Sequence, residues 1–437
     1  MAATNHDTSP GEQRNGLIRL LRSQLGRNTL WMIGCDTLAK LIGMITTIVY
    51  ANVLGRALFG VFSFVFCLAQ IFSIFPDMGL HRWAVQDIAR QPKGSWQLFQ
   101  MLRRMKALLA AMTLIAGVAA GVIVALLKGQ SALIVMTALA VAALCVRGMK
   151  QNFDTLFYGH QRMQWPAALN LLMRALTLIV GTAIAWKTKN VTLLFAALLV
   201  IEALDYLISG KIATGLFQNN AYRDEQPEAK DIVRGALPFS LQMLATLLYF
   251  YMDTVMLGLM WNDDVVAYYN AGYRLVLAAL VVPSSLCNVL FPAMAERTGE
   301  KALALYRKTL PLFILIGLGF VLVVFPFREF WVDKVLYRSG EYAMTVPLLG
   351  LLAWSFPIYC ISMCTGNYFG ATKRQTQVMI IGSAMAVTNL MLNLLWIPRF
   401  AAFGAAAATV ATEFIAVLCF IGCALYTRRC KNKSAYW

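Results

Sequence analysis

The chain has 437 residues, of which 59% are hydrophobic and only 14% charged, where a soluble domain carries roughly a quarter charged residues. Its formal net charge is +17, yet Lys and Arg are spread along the chain rather than massed on one face or in one tail, which argues against a nucleic-acid binder. A mean hydropathy of +0.64, with apolar runs that repeatedly reach the ~20 residues needed to cross a bilayer, excludes a soluble enzyme and indicates an all-α, polytopic membrane protein.

In chain order, residues 1–27 are polar and then basic. They lack the short apolar region and small-residue cleavage site of a signal peptide. Residues 14–24 predict a basic amphipathic helix on the membrane surface. Apolar spans are predicted at 28–53, 59–77, 102–127, 131–149, 164–186, 191–216, 235–260, 265–292, 308–327, 343–369, 376–397 and 402–427. They form an N-terminal six-helix lobe (28–216), a cytoplasmic linker (217–234), a C-terminal six-helix lobe (235–427) and a basic cytoplasmic tail (428–437).

The loops alternate in charge. Arg56, Lys128, Lys187, Lys189, Arg328, Lys334, Arg338 and Arg399 fall on one side, Lys40, Arg174 and Arg274 fall inside spans, and the other 27 of the 38 basic residues fall on the opposite side. The positive-inside rule then puts both termini in the cytoplasm. No loop is long enough to hold a soluble catalytic domain.

The halves resemble one another weakly. Val53-Leu54-Gly55 with Gly60-Val61-Phe62 has a counterpart in Met256-Leu257-Gly258 with Ala267-Tyr268-Tyr269. Leu156-Phe157-Tyr158-Gly159 with Arg162 has one in Tyr368-Phe369-Gly370 with Lys373. Six spans per half make the repeat parallel, which suits two lobes around a midplane site.

Several segments carry a family resemblance. Asn389, Asn393, Ile397-Pro398 and the run Gly404-Ala405-Ala406-x-Ala408-Thr409 resemble the junction of the eleventh and twelfth helices of polysaccharide flippases. One departure is Ala401 or Ala402 where that family has a Gly after Phe400. Residues 249–258, 267–275 and 291–296 resemble its seventh and eighth helices, and 28–64 and 77–90 its N-terminal pattern. The chain is similar to the lipid-linked oligosaccharide flippases of the multidrug/oligosaccharidyl-lipid/polysaccharide exporter superfamily. The resemblance implies twelve helices in two lobes around a central cavity. It also implies that undecaprenyl-pyrophosphate-linked oligosaccharide moves from the inner to the outer leaflet of a bacterial cytoplasmic (inner) membrane, by alternating access, for O-antigen or exopolysaccharide assembly. Membrane lipid and the polyisoprenyl-linked glycan are the expected partners, with a polysaccharide polymerase as a further one. The expected state is a monomer.

A charge at mid-span costs roughly 2.5–3.5 kcal/mol on insertion scales and normally faces a cavity or a partner. Lys40, Arg174 and Arg274 lie about ten to twelve residues into their spans, near the midplane at about 1.5 Å per residue. A lipid pyrophosphate needs cations to cross hydrocarbon, so these three are the expected substrate-binding residues; for Lys40 the alternative is an i,i+4 pair with Asp36. Asp253 and Glu413 read either as H+ or Na+ coupling sites or as counter-ions to Arg274. Asp36, Glu202 and Asp205 read as cavity acids or as packed polar contacts. Pro283 and Pro357 predict kinks, Gly117-x-x-x-Gly121 predicts close helix packing, and Trp31, Trp186, Trp261 and Trp331 predict interfacial anchors. Nine cysteines and three histidines without clustered spacing predict buried thiols rather than a metal site. No catalytic residue or cofactor is expected. The alternative functions are a cation-coupled multidrug antiporter of the same superfamily, whose cavity should be acidic, and, less well supported, a membrane-embedded sugar-lipid polymerase.

Overall fold

A computed structural model of the protein describes residues 24–218, 227–297, 299–337 and 340–434. The surface helix expected over 14–24, the middle of the linker 217–234 and the end of the basic tail lie outside the described residues. All regular structure among the described residues is helical.

The N-terminal lobe comprises α1 (Gln24–Leu54), α2 (Arg56–Phe72), the short α3 (Leu80–Arg90), α4 (Ser95–Lys128), α5 (Ala132–Gly159), α6 (Gln164–Thr188) and α7 (Val191–Phe217). The C-terminal lobe comprises α8 (Ala229–Met260), α9 (Asp263–Ala279), α10 (Val281–Ala295), α11 (Glu300–Val324), α12 (Thr345–Ala353), α13 (Ser355–Ala371) and α14 (Gln375–Ser434). Among the described residues, ten helical stretches are long and apolar enough to cross a membrane, and α2 is a shorter apolar helix. The longest stretch, in α14, folds back at Ala401 (φ 49°, ψ −130°), so it supplies two spans. The architecture is therefore about twelve membrane helices, as the hydropathy predicts.

Pro283 and Pro357 do not bend continuous helices. Each lies in the first turn of a new helix, α10 and α13, where a missing N–H leaves no intrahelical bond broken. The breaks before them split two long spans into α9–α10 and α12–α13.

The two halves pack alike. In the first, α5 lies against α4 and α7; in the second, α13 lies against α11 and α14. Gly117 and Gly121 seat α4 on Val141 and Thr137 of α5. At the turn of α14, Asn393 donates to Asn389 (2.9 Å), Asn389 reaches Thr412 on the returning arm (3.4 Å), and the Trp261 indole donates to the carbonyl of Ile397 (2.9 Å). Pro398 cannot donate a backbone N–H, and the paired Asn side chains hold the arms together where the ladder is interrupted.

One end of the bundle carries the start of α1 and the loops 91–94, 160–163 and 372–374; we refer to it as the basic end. The opposite, far end carries Gly55, the loops 129–131 and 261–262, and the segments 325–337 and 340–344. There the lobes are clamped. Arg56 bonds Asp264 (2.9 Å) and the hydroxyl of Tyr268 (2.8 Å), and its backbone N–H donates to Glu341 (3.0 Å). Lys128 pairs with Asp263 (2.5 Å), and Tyr342 donates to the carbonyl of Ala51 (3.1 Å). Among the described residues, the cations of these pairs, Arg56 and Lys128, come from the N-terminal lobe and the carboxylates, Asp263, Asp264 and Glu341, from the C-terminal lobe. Gly60 permits it, since a Cβ there would strike the carbonyl of Asp263 at the start of α9.

Candidate functional site

Below the clamp, towards the basic end, a cavity of about 470 Å³ opens between the lobes. Its walls come from α1, α2, α5, α6 and α7 on one side and α8, α9 and α10 on the other. Four cations line it: Lys40, Arg147, Arg174 and Arg274. Glu202 is the one carboxylate among the lining residues. The remaining polar surface is neutral, from Thr46, Thr47, Tyr50, Gln70, Thr177 and Tyr251.

All three cations expected from the sequence thus converge on one space. Arg274 lies over the Phe66 ring, 5.3 Å from its centroid, a cation–π contact that holds the guanidinium while leaving its donors available. Among the described residues no carboxylate lies within 4.0 Å of Lys40, Arg174 or Arg274. Among the described residues Lys40 and Asp36 are not within 4.0 Å of one another as an ion pair.

Arg147 is the functional candidate that the sequence reading misses. The predicted span stops at 149, so Arg147 falls two residues from its end and counts with the basic side; α5 continues to Gly159 and carries it to mid-helix. There its guanidinium pairs with Glu202. A signal is present: Arg147, Lys150 and Asp154 repeat at i, i+3 and i+7, the spacing of one helix face, and Leu156 lies on the opposite side. That is an amphipathic helix rather than a loop.

The acids expected in the N-terminal lobe separate. Glu202 faces the main cavity, whereas Asp36 and Asp205 line a neighbouring pocket of about 180 Å³. In it Lys150 pairs with Asp154 (3.0 Å) and Asp205 (3.5 Å), and Ser209 donates to Asp205 (3.3 Å).

The C-terminal carboxylates lie elsewhere. Asp253 is 1% exposed and accepts from the Tyr269 hydroxyl and from the backbone N–H of Thr254 (2.7 Å). Glu413 accepts from the Tyr249 hydroxyl and borders a pocket of about 260 Å³ within the C-terminal lobe, with Tyr359, Ser362 and Gln242. Neither lies within ion-pair distance of Arg274 among the described residues, so the counter-ion reading is not what the structure holds.

A cavity at mid-bundle between two helical lobes, with charged walls in an otherwise apolar molecule, defines the class: a two-lobed, polytopic membrane transporter. Known proteins agree. A family model described as "Polysaccharide biosynthesis protein" matches residues 25–298, and one described as MatE matches 238–395. A protein of Shigella dysenteriae, provisionally named an O-antigen transporter, is 26% identical over 271 residues; the match covers 60% of this chain and 66% of that relative. The fold is similar to that of the lipid II flippase MurJ in an inward closed conformation (TM-score 0.69, 15% identity, 91% of this chain and 87% of that one). It is also similar to an inward-facing multidrug resistance MATE family transporter of the MOP superfamily (TM-score 0.70, 17% identity, 91% and 96%), and to a Pyrococcus furiosus MOP transporter described by a binding pocket of reverse polarity (TM-score 0.62, 14% identity, 92% and 96%). The chain belongs to the polysaccharide biosynthesis protein family of membrane transporters.

Proposed function

We propose that the protein is a flippase that carries a lipid-linked oligosaccharide, joined through a pyrophosphate, from the cytoplasmic to the outer leaflet of a bacterial inner membrane. The carrying observation is the sign of the cavity: four cations and one carboxylate at mid-bundle. A pyrophosphate is a multivalent anion whose transfer into hydrocarbon is prohibitive without compensating charge. Lys40, Arg174 and Arg274 stand without carboxylate partners and offer that compensation, and Arg binds phosphate oxygens bidentately. Arg147, steadied by Glu202, adds a fourth charge at the same level.

A drug/cation antiporter would bring a cationic ligand to this surface and meet repulsion, so the anionic ligand is the better fit. The name of the Shigella relative supports an O-antigen unit as the cargo, and the excess of Lys and Arg at the basic end supports a cytoplasmic location for that end. Asp253 and Glu413, buried away from the cavity beneath tyrosine hydroxyls, are the groups we assign to H+ or Na+ coupling. The cycle needs no covalent chemistry. The lobes release the far-end clamp and close at the basic end.

The test is made in a strain lacking this gene, by access of an external glycan-labelling reagent to the glycolipid in spheroplasts. Inner-leaflet accumulation, with outer exposure restored by the wild-type protein but not by Arg174→Ala or Arg274→Ala, is the expected result. Unchanged outer exposure in the deletion strain would overturn the reading.

A further inference from the structure

The 180 Å³ pocket beside the main cavity has a consistent position. Asp36 lies one turn below Lys40 on α1, Lys150, Asp154 and Tyr158 lie below Arg147 on α5, Asn170 lies below Arg174 on α6, and Asp205 lies below Glu202 on α7. On all four helices the step is towards the basic end. Arg147, Arg174, Thr177 and Glu202 line both spaces. The pocket is therefore an annex of the cavity, entered from it and placed on its basic-end side.

Its chemistry differs from that of the cavity. Of its three cations, Lys150 and Arg147 are already paired, with Asp154, Asp205 and Glu202, Arg174 stands at the boundary shared with the cavity, and four carboxylates stand in the walls. A phosphate would be repelled. The capacity that remains is mostly hydrogen-bond acceptance. Asp154 is 8% exposed, and its Oδ1 is buried without a hydrogen-bond partner while Oδ2 pairs with Lys150. A buried, unpartnered carboxylate oxygen is costly unless a donor arrives. Gln151, Asn170 and Tyr158 add neutral polar groups, and Tyr158 adds a ring face. The volume equals about six waters at roughly 30 Å³ each, which is room for one sugar ring and not for a chain.

We propose that this annex is the glycan subsite: it takes the sugar residue attached to the pyrophosphate, through hydroxyl and amide hydrogen bonds to Asp36, Asp154, Asn170 and Tyr158, while the phosphates stay with Lys40, Arg174 and Arg274. The proposal rests on the flippase reading and deepens it. It makes the first sugar, rather than the distal glycan, the part that this protein reads. Carboxylates paired with Lys150 and Arg147 are held rigidly, and a site built to hydrogen-bond a hydroxyl rejects ligands that leave its groups unpaired.

The experiment measures binding to the full chain in lipid nanodiscs. The probes are undecaprenyl pyrophosphate without sugar and the same lipid carrying one glucose, galactose, N-acetylglucosamine or N-acetylgalactosamine. At least one sugar-bearing lipid should bind more tightly than the bare lipid. Asp36→Asn and, separately, Tyr158→Phe should weaken that lipid about tenfold, the loss of one hydrogen bond involving a charged or buried partner, and leave the bare lipid unchanged. Arg274→Ala should weaken both. If no sugar improves on the bare lipid, or if the annex variants weaken both probes equally or neither, the glycan subsite is overturned while the cationic cavity stands. If wild type binds none of the five lipids, the flippase reading falls and the subsite falls with it.

Discussion

The two lobes share a plan but spend their charges differently. In the N-terminal lobe, charged groups face space: Lys40, Arg147, Arg174 and Glu202 line the cavity and Asp36, Lys150, Asp154 and Asp205 the annex. In the C-terminal lobe, Asp253 and Glu413 are each buried beneath one tyrosine hydroxyl, from Tyr269 and Tyr249, and only Arg274 reaches the cavity. Homologous packing thus supports two kinds of polar site. One is open and cationic, suited to a ligand that comes and goes. The other is acidic, each carboxylate held by a tyrosine hydroxyl away from the main cavity. Under the proposed function the first kind would hold the cargo, and the second is where the coupling ion is assigned.

The largest effect should come from a site with no ligand to hold. Lys106 is 0% exposed and pairs with Asp77 at 2.6 Å. Lys106→Met would strand the Asp77 carboxylate and cost about 3–5 kcal/mol, read as a large drop in thermal unfolding temperature in detergent. A small drop would mean that the N-terminal lobe tolerates unpaired charge, and the contrast between the lobes would lose its basis.

Next come the functional charges. Arg147→Ala should reduce binding of the pyrophosphate lipid about tenfold or more, the worth of a hydrogen bond to a charged group. Glu413→Gln should leave that binding intact and slow leaflet transfer. The two variants compared in the same nanodisc and spheroplast assays sharpen the division of labour; a binding loss in Glu413→Gln breaks it.

At the α14 turn, Ala401 adopts φ 49° and ψ −130°, a backbone region essentially open to Gly alone. Ala401→Gly should raise stability by about 1 kcal/mol, seen as a higher unfolding temperature with transport unchanged. The resembled family carries Gly at this turn, and the geometry explains why.

A smaller effect is a pH dependence at the basic end. His81 on α3 packs against Thr155 (2.9 Å) and the carbonyl of Gln151 (3.1 Å). Burial, with the nearby Lys106 and Arg82 opposing Asp77, lowers its pKa from 6.5 to about 4. The unfolded chain therefore binds a proton between pH 6.5 and 4 that the folded chain refuses, so the stability from this site is present above 6.5 and declines as pH falls towards 4. The unfolding temperature of wild type should fall faster over that window than that of His81→Asn.

Much of this is legible in the sequence. Mid-span Lys40, Arg174 and Arg274 stood out because a charge in an apolar run has few places to go. Arg147 and Lys150 did not, because the hydropathy of α5 fades at 149 while the helix runs on to Gly159. A hydropathy window sees the lipid-facing stripe and is blind to a charged stripe turned inwards. The annex was illegible for a further reason. It takes single residues from four helices, and their common level is set by tilt and packing, which no one-dimensional spacing records. Asp253 and Glu413 were visible as charges, but their tyrosine partners come from other helices, so ion pairing with Arg274 read equally well.

The far-end clamp has one more consequence. Arg56 and Asp264 are 37% and 36% exposed, Lys128 and Asp263 only 11% and 19%, and the contacts join opposite lobes. Exposed pairs weaken as salt rises, with a screening length of about 10 Å at 0.1 M. The far-end clamp is therefore a latch with two springs, one tuned by the salt in the solution around it and one sheltered from it. Salt slackens the first spring while the second still draws the two lobes together.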